Sequence, residues 1–351
     1  MIAEDQPGDV RQGEEINIPE LNRYLSGHST LEPMVHQRQF PGGYSNLTYL
    51  LTTASGKEYI LRRPPKGAAI KSAHDMGREF HLLSALQTHY NKIPRAILLS
   101  DNTSVLGAPF YLMERLHGVI LRPSLVKHIR IAPDEMKAIS EAVIDNLVAL
   151  HQIDIQASGL IALGKPEGYV TRQVEGWSRR YTAAQTDKIV AMEQVGTWLA
   201  AHIPAEHLPT LLHNDYKFDN IVLDEQQLSS IRGVLDWEMA TVGDPWMDLG
   251  ASLAYWAEPA DAELARVFNV SWLPGNLTRR QVVERYQEKS GRQADPIFYY
   301  VFGLFKNAVI AQQIYARWKQ GHSSDARFGQ LIHVIHNLAD RGRKALDSQL
   351  L

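Results

Sequence analysis

Between residues 211 and 238 the chain sets polar side chains at the ends of very short apolar segments, inside a half that is otherwise helical. Leu211-Leu212 runs into His213-Asn214-Asp215-Tyr216-Lys217-Phe218-Asp219-Asn220, and Ile221-Val222-Leu223 follows. Thirteen residues beyond Asn220 a further apolar stretch begins, Gly233-Val234-Leu235, and it ends on Asp236-Trp237-Glu238. Each stretch is too short for a helix and reads as buried strand. The polar residues then fall at strand ends, where loops present side chains to a cleft. One such turn alone needs no function, because Asp and Asn are ordinary turn formers. Two in order, His-x-Asp-x₄-Asn and then a strand ending in Asp, ask for a chemical reason.

Around this island the pattern is helical. Met136, Ile139, Val143, Leu147 and Leu150 form one apolar stripe and predict a helix over 133–150. Further helices are expected over 168–181, 187–202, 245–256, 278–290, 296–320 and 325–346. The first third of the chain differs. From Leu31 the texture is extended, with a Pro41-Gly42-Gly43 turn and a β-rich stretch over 46–53. Ser55-Gly56 reads as a hairpin turn into a strand over 57–63. A helix over 72–90 and strands near 96–100 and 109–114 complete a β-β-β-α-β-β order. That order indicates an α+β lobe and argues against an alternating parallel sheet. Pro19 opens a short helix to Leu25, and residues 1–16 read as a mobile arm. The expected division is an arm and short helix over 1–28, an N-terminal lobe over 29–115 and a helical C-terminal lobe over 116–351.

The island suits phosphoryl transfer. Asp215 can accept the proton of an attacking hydroxyl. Asn220 and Asp236 offer hard oxygens for Mg²⁺, which bridges nucleotide phosphates and neutralises charge on the transferred group. The spacing matches the catalytic-loop pattern of kinases, in which Asp is the base, Asn a metal ligand, and a metal-binding Asp follows on a later strand end. With no Cys, the chain has no thiolate nucleophile, disulfide or Cys-type zinc site, and no His spacing typical of a metal site is present.

His213 to Asn220, Asp236-Trp237-Glu238 and Gly243-Asp244-Pro245-Trp246-Met247-Asp248-Leu249 together resemble the aminoglycoside phosphotransferase (choline-kinase-like) family of small-molecule kinases, over roughly residues 29–350. Gly42-Gly43-Tyr44-Ser45-Asn46-Leu47-Thr48-Tyr49 and Tyr59-Ile60-Leu61-Arg62-Arg63-Pro64-Pro65 are similar to the kinase domains associated with acyl-CoA dehydrogenases. The resemblance implies a protein-kinase-like bilobal α+β fold: a small N-terminal lobe with an antiparallel sheet and one helix, and a larger, mainly helical C-terminal lobe. It also implies ATP between the lobes and a small hydroxylated acceptor beside the C-terminal lobe. Arg62 then falls where protein kinases carry a phosphate-binding Lys. Its planar fork can hold phosphate oxygens but is larger than Lys, and Arg63 is the alternative if the register slips. Glu79 is the expected partner of Arg62. Ser45 and Asn46, after the glycine pair, are candidate phosphate donors, and the backbone from Glu114 to Leu116 is the expected contact for the purine edge. His213 is expected to orient the loop, Asp248 to brace it, and Glu238 to add a weaker metal contact through water.

The acceptor is less defined. Residues 151–207 hold 6 acids and 5 bases, and residues 296–351 hold 3 acids and 7 bases. That balance leans away from polycationic antibiotics and toward a neutral or anionic molecule such as a hydroxyacyl-type metabolite. An aminoglycoside or amino-alcohol kinase is one alternative. A non-catalytic nucleotide-binding pseudokinase is another, supported by the Arg at position 62. A protein kinase is disfavoured, because no activation segment separates Asp236 from the Gly243-Asp244-Pro245 turn. A net charge of −3 argues against nucleic acid as a partner. The longest apolar run, Ile297 to Phe305, is too short to span a bilayer. The N-terminus reads as neither secretory signal nor transit peptide. A cytoplasmic location is expected, and nothing specifies the oligomeric state.

Overall fold

The computed structural model describes residues 6–40, 46–65, 75–322 and 325–351. Ser45, with the Gly42-Gly43 turn, lies outside them, as do residues 72–74 of the expected second helix. The chain forms two compact units: Met1–Ile120 with Val222–Gln227 and Arg232–Met239, and Leu121–Ile221 with Leu228–Ile231 and Ala240–Leu351.

The first unit runs α1 (Ile18–His28), β1 (Met34–Gln39), β2 (Leu47–Thr53), β3 (Glu58–Arg63), α2 (Met76–Leu86), β4 (Ala96–Ser100), the single turn α3 (Thr103–Leu106) and β5 (Phe110–Glu114). Among the described residues the strands make one five-stranded antiparallel sheet in the order β1-β2-β3-β5-β4. The β2–β3 turn depends on Gly56, whose φ of 85° suits a residue without a side chain. In β3, Ile60, Leu61, Arg62 and Arg63 are all buried, so both faces of the sheet are covered. Tyr49, Leu51, Leu61, Phe110 and Leu112 pack on one face with Leu21 and Leu25 of α1. The capped helix α2, whose first-turn Arg78 N–H donates to Asp75, packs against β4 and β5.

The expected loose arm is, over residues 6–16, part of this unit. Gly8 pairs with Gln39, the Arg11 N–H donates to the Gln39 side chain, and Ile16 is buried. The Glu14 carbonyl accepts from the Tyr49 hydroxyl at 2.7 Å and from Arg63 Nη2 at 2.9 Å. A buried guanidinium needs acceptors, and the backbone of the arm supplies one. Its polar side chains concealed that role.

The second unit contains α4 (Pro133–His151), α5 (Tyr169–Ala184), α6 (Val190–Ala201), β6 (Thr210–Leu212), β9 (Thr241–Gly243), α7 (Pro245–Tyr255), α8 (Arg279–Ser290), α9 (Pro296–Lys319) and α10 (Leu331–Ser348); between β6 and β9 the chain forms β7 (Ile221–Leu223) and β8 (Ile231–Val234). The stretch β7–β8 pairs as a two-stranded ribbon whose residues fall mostly in the first unit. Strand β9, hidden in the sequence by the Gly-Asp-Pro turn beside it, pairs antiparallel with β6 and closes the island. The helix expected from residue 325 begins as a 3₁₀ turn and becomes α-helical at Leu331. The apolar run from Ile297 is the buried first half of α9. No helix among the described residues is long and apolar enough to cross a membrane.

Helices α7 and α9 approach through glycines. A Cβ on Gly303 would meet the Gly250 carbonyl oxygen at 2.3 Å, and one on Gly250 would meet that of Tyr299 at 2.2 Å. Backbone cannot yield as a flexible side chain can. Gly303→Ala is therefore expected to destabilise by about 1–3 kcal/mol, read as a lower urea midpoint with an unchanged m value.

Candidate functional site

In the second unit, β6 delivers the chain into residues 213–220. Asn214 adopts a left-handed φ of 65°, a conformation Asn tolerates better than most residues. The buried His213 ring accepts from the Asp215 N–H through Nδ1 at 3.2 Å. Asp215 is held from two sides. Lys217 Nζ lies 3.0 and 2.8 Å from its carboxylate oxygens. Asn220 Nδ2 donates to Asp215 Oδ2 at 2.9 Å and to its carbonyl at 2.8 Å. With its Nδ2 spent on Asp215, Asn220 has Oδ1 left to offer a cation. Burial opposes the Lys217 charge, but Tyr255 and Asp215 outweigh it and hold the ammonium well above its usual range. Tyr216 anchors the loop to α4: its hydroxyl donates to the Val143 carbonyl at 2.7 Å and accepts from Asn146 at 3.0 Å.

Asp248, in the first turn of α7 and fully buried, accepts the backbone N–H groups of His213 and Asn214, both at 2.7 Å. His151 Nε2 reaches the same carboxylate at 3.1 Å, and His151 Nδ1 lies 2.8 Å from the Tyr286 hydroxyl. Burial works against this carboxylate, but His151, His213 and the backbone donors outweigh it and hold its pKa below the ordinary value.

The first unit gathers a second set. Strand alternation sends Arg63 to the arm and α1 face, where it donates to the Leu106 and Glu14 carbonyls and the Tyr49 hydroxyl. Arg62 takes the opposite face. Its Nη1 meets Glu79 of α2 at 2.5 Å, and its Nη2 lies 3.2 Å from Asp236 and 3.4 Å from Glu238. Both partners of the Arg62–Glu79 pair are buried. Burial opposes the Arg62 charge, yet Glu79, Tyr111 and Asp236 raise its pKa well above the usual value. Burial pushes the Glu79 carboxyl up, and Arg62 pulls it back only in part. The buried Asn46 side chain donates to Glu238 at 2.9 Å, and Arg78 donates to the Glu238 carbonyl. Asp236 sits at φ 66° with its side chain 37% exposed. Trp237 pins it there through an indole N–H to the Val234 carbonyl and an edge contact with Tyr90. Glu79, Asp236 and Glu238 outnumber Arg62 and Arg78, an excess of hard oxygen charge that suits a divalent cation. Among the described residues no three His, Asp or Glu side chains form a metal cluster.

At the end of β5 the Glu114 N–H donates to the Arg95 carbonyl. Arg115 is buried against Glu58, and the Leu116 side chain packs where a Gly233 side chain would sit. The sequence reading missed Lys217, Lys306, His151 and Arg78. Lys217 lies inside the motif but was read as spacing. The other three act across the fold and left no local signal.

An antiparallel sheet with one buried Arg–Glu pair, and a helical unit carrying a braced His-x-Asp-x₄-Asn loop, define the kinase-like α+β class. The chain belongs to the phosphotransferase enzyme family (APH), which it matches over residues 36–283. It is 34% identical over 343 residues to mouse acyl-CoA dehydrogenase family member 10, covering 94% of this chain and 31% of that one. It is 32% identical to human acyl-CoA dehydrogenase family member 11, covering 92% of this chain and 41% of that one. The chain thus spans well under half the length of these curated relatives. Among solved structures, a Ralstonia eutropha protein provisionally described as an aminoglycoside phosphotransferase superposes with a TM-score of 0.81 at 28% identity, covering 95% and 99% of the two chains.

The Asp248 brace has a pH signature. A carboxylate whose pKa is lowered by folding contributes stability above its unfolded pKa, and that contribution is lost as pH falls through the folded value. Asp248→Asn is expected to destabilise the chain by about 3–5 kcal/mol at pH 7. Denaturant titrations should show the gap from wild type narrowing as pH falls below about 4.

Proposed function

We propose that this chain is an ATP- and Mg²⁺-dependent phosphotransferase that moves the γ-phosphate to a hydroxyl of a small molecule, with a hydroxyacyl-type metabolite as acceptor. The observation that carries the reading is the Asp215 carboxylate, oriented by Asn220 and Lys217 and still 15% exposed. A base must be fixed in direction yet reachable. Asp215 orients the acceptor hydroxyl and takes its proton. The hydroxyl oxygen bonds to the γ-phosphorus while the bond from that phosphorus to the β,γ-bridging oxygen breaks, and ADP departs. Mg²⁺, when bound, neutralises phosphate charge. Asn220 Oδ1 and the Asp236 carboxylate would be its protein donors, with Glu238 subordinate. Arg62, set by Glu79, steadies the α- and β-phosphates, and the backbone from Glu114 to Leu116 meets the base. Asn46, whose amide also donates to Glu238, is a phosphate donor in this reading. Ser45 retains its assignment as a phosphate donor on the sequence pattern alone. No covalent protein intermediate is needed, and the rate comes from positioning and electrostatics.

Two observations support an acceptor that is not polycationic. Lys217 touches Asp215 and sets a cation beside the base. The curated relatives are also named as acyl-CoA dehydrogenase family members.

Asp215→Asn is expected to cut kcat by about 10²–10⁴-fold with little change in KM for Mg-ATP. Asp236→Ala is expected to weaken Mg-nucleotide binding by calorimetry. The assay pairs labelled ATP and GTP with hydroxyacyl thioesters, amino alcohols, sugars and aminoglycosides. Wild-type turnover in Asp215→Asn would overturn the base assignment. Turnover confined to aminoglycosides would overturn the acceptor, and nucleotide binding without transfer to any of them would favour the pseudokinase.

A further inference from the structure

One buried cation in the second unit has no part in that chemistry. Lys306 lies midway along α9, only 4% exposed, and its Nζ donates to the Asn214 carbonyl at 2.8 Å. Asn214 is the left-handed residue immediately before Asp215. The ammonium also stands 5.9 Å from the Trp177 ring. The charged groups that face it are Asp215 and Lys217 from the loop, Asp248 from α7 and Arg180 from α5. The neighbouring positions Val301, Leu304, Phe305, Ala308 and Val309 on α9 are apolar and buried, so Met at 306 would serve packing alone without desolvating a charge. Burial lowers the Lys306 pKa to about 8, despite the pull of Asp215 and Asp248. An ammonium whose pKa falls on folding costs stability at neutral pH, and the cost is relieved as pH rises through the folded value.

We propose that Lys306 is a positioning residue whose ammonium holds the Asn214 carbonyl and thereby sets the backbone that aims Asp215. Its kinetic consequence rests on the phosphotransfer reading, and its structural consequence rests on the loop alone.

Lys306→Met is expected to lower kcat at least tenfold while leaving KM for Mg-ATP unchanged. Lys306→Arg, which keeps the charge, should recover most of that loss. Wild-type kcat should decline as pH rises through about 8. That decline should move to higher pH in Lys306→Arg and be absent from the residual activity of Lys306→Met. Near wild-type kcat in Lys306→Met, or a loss with the wild-type alkaline decline retained, would overturn the proposal. If Lys306→Met does not fold, the wild-type decline and its displacement in Lys306→Arg decide the matter. Amide hydrogen exchange separates this inference from the reading beneath it. Exchange at residues 213–217 should quicken in Lys306→Met and stay near wild type in Lys306→Arg even if no acceptor is phosphorylated. Unchanged exchange in Lys306→Met would overturn the positioning role whatever the enzyme's activity.

Discussion

The Asp248 carboxylate, without solvent exposure, takes two consecutive backbone N–H groups, His213 and Asn214, and a ring nitrogen of His151. A fully buried carboxylate without donors is among the costliest defects a fold can carry, and these three groups supply them. The arrangement ties the first turn of α7 to the loop after β6 and to the end of α4. Once these three segments are joined, Asn214 is held in its left-handed turn and Asp215 leaves the loop in a set direction. The glycine contacts between α7 and α9 fix where α7 itself lies, and α9 brings Lys306 beneath the same turn.

Around Arg62 the acids are in excess, with Glu79, Asp236 and Glu238 sharing one guanidinium fork. That fork explains how Arg can stand at a position where the kinase pattern has Lys: one nitrogen serves Glu79 while the other lies near two carboxylates, a division a single ammonium makes less well. Around Asp215 the charges are mixed: Lys217 is bonded to it and Lys306 feels its charge, while Asp219 and Asp248 act on the same two ammonium groups. An acid-rich environment invites a metal ion.

Much of the fold could be read without coordinates because it follows local rules. The stripe from Met136 to Leu150 is buried along α4 as its 3.6-residue spacing requires. The strand–turn–strand around Gly56 follows from the one residue that takes a positive φ freely. Alternation along β3 sends Arg62 and Arg63 to opposite faces, and the structure decides which of the two meets Glu79. The arm failed as a prediction because its contribution is made by main chain: the Glu14 carbonyl, not any side chain of that segment, receives Arg63 and Tyr49. Strand β9 failed because three residues carry too little pattern to outweigh the turn that follows them.

The amino-acid order alone determined the α+β class, the family resemblance and the spacing of Asp215, Asn220 and Asp236, since these depend on periodicity and on residue types a few positions apart. Tertiary structure decided which polar groups face one another. His151 and Asp248 are 97 positions apart, and Lys306 and Asn214 are 92 apart. No local propensity encodes such pairs. They form because helix packing brings their backbones together, and burial then makes each polar group depend on partners from distant segments.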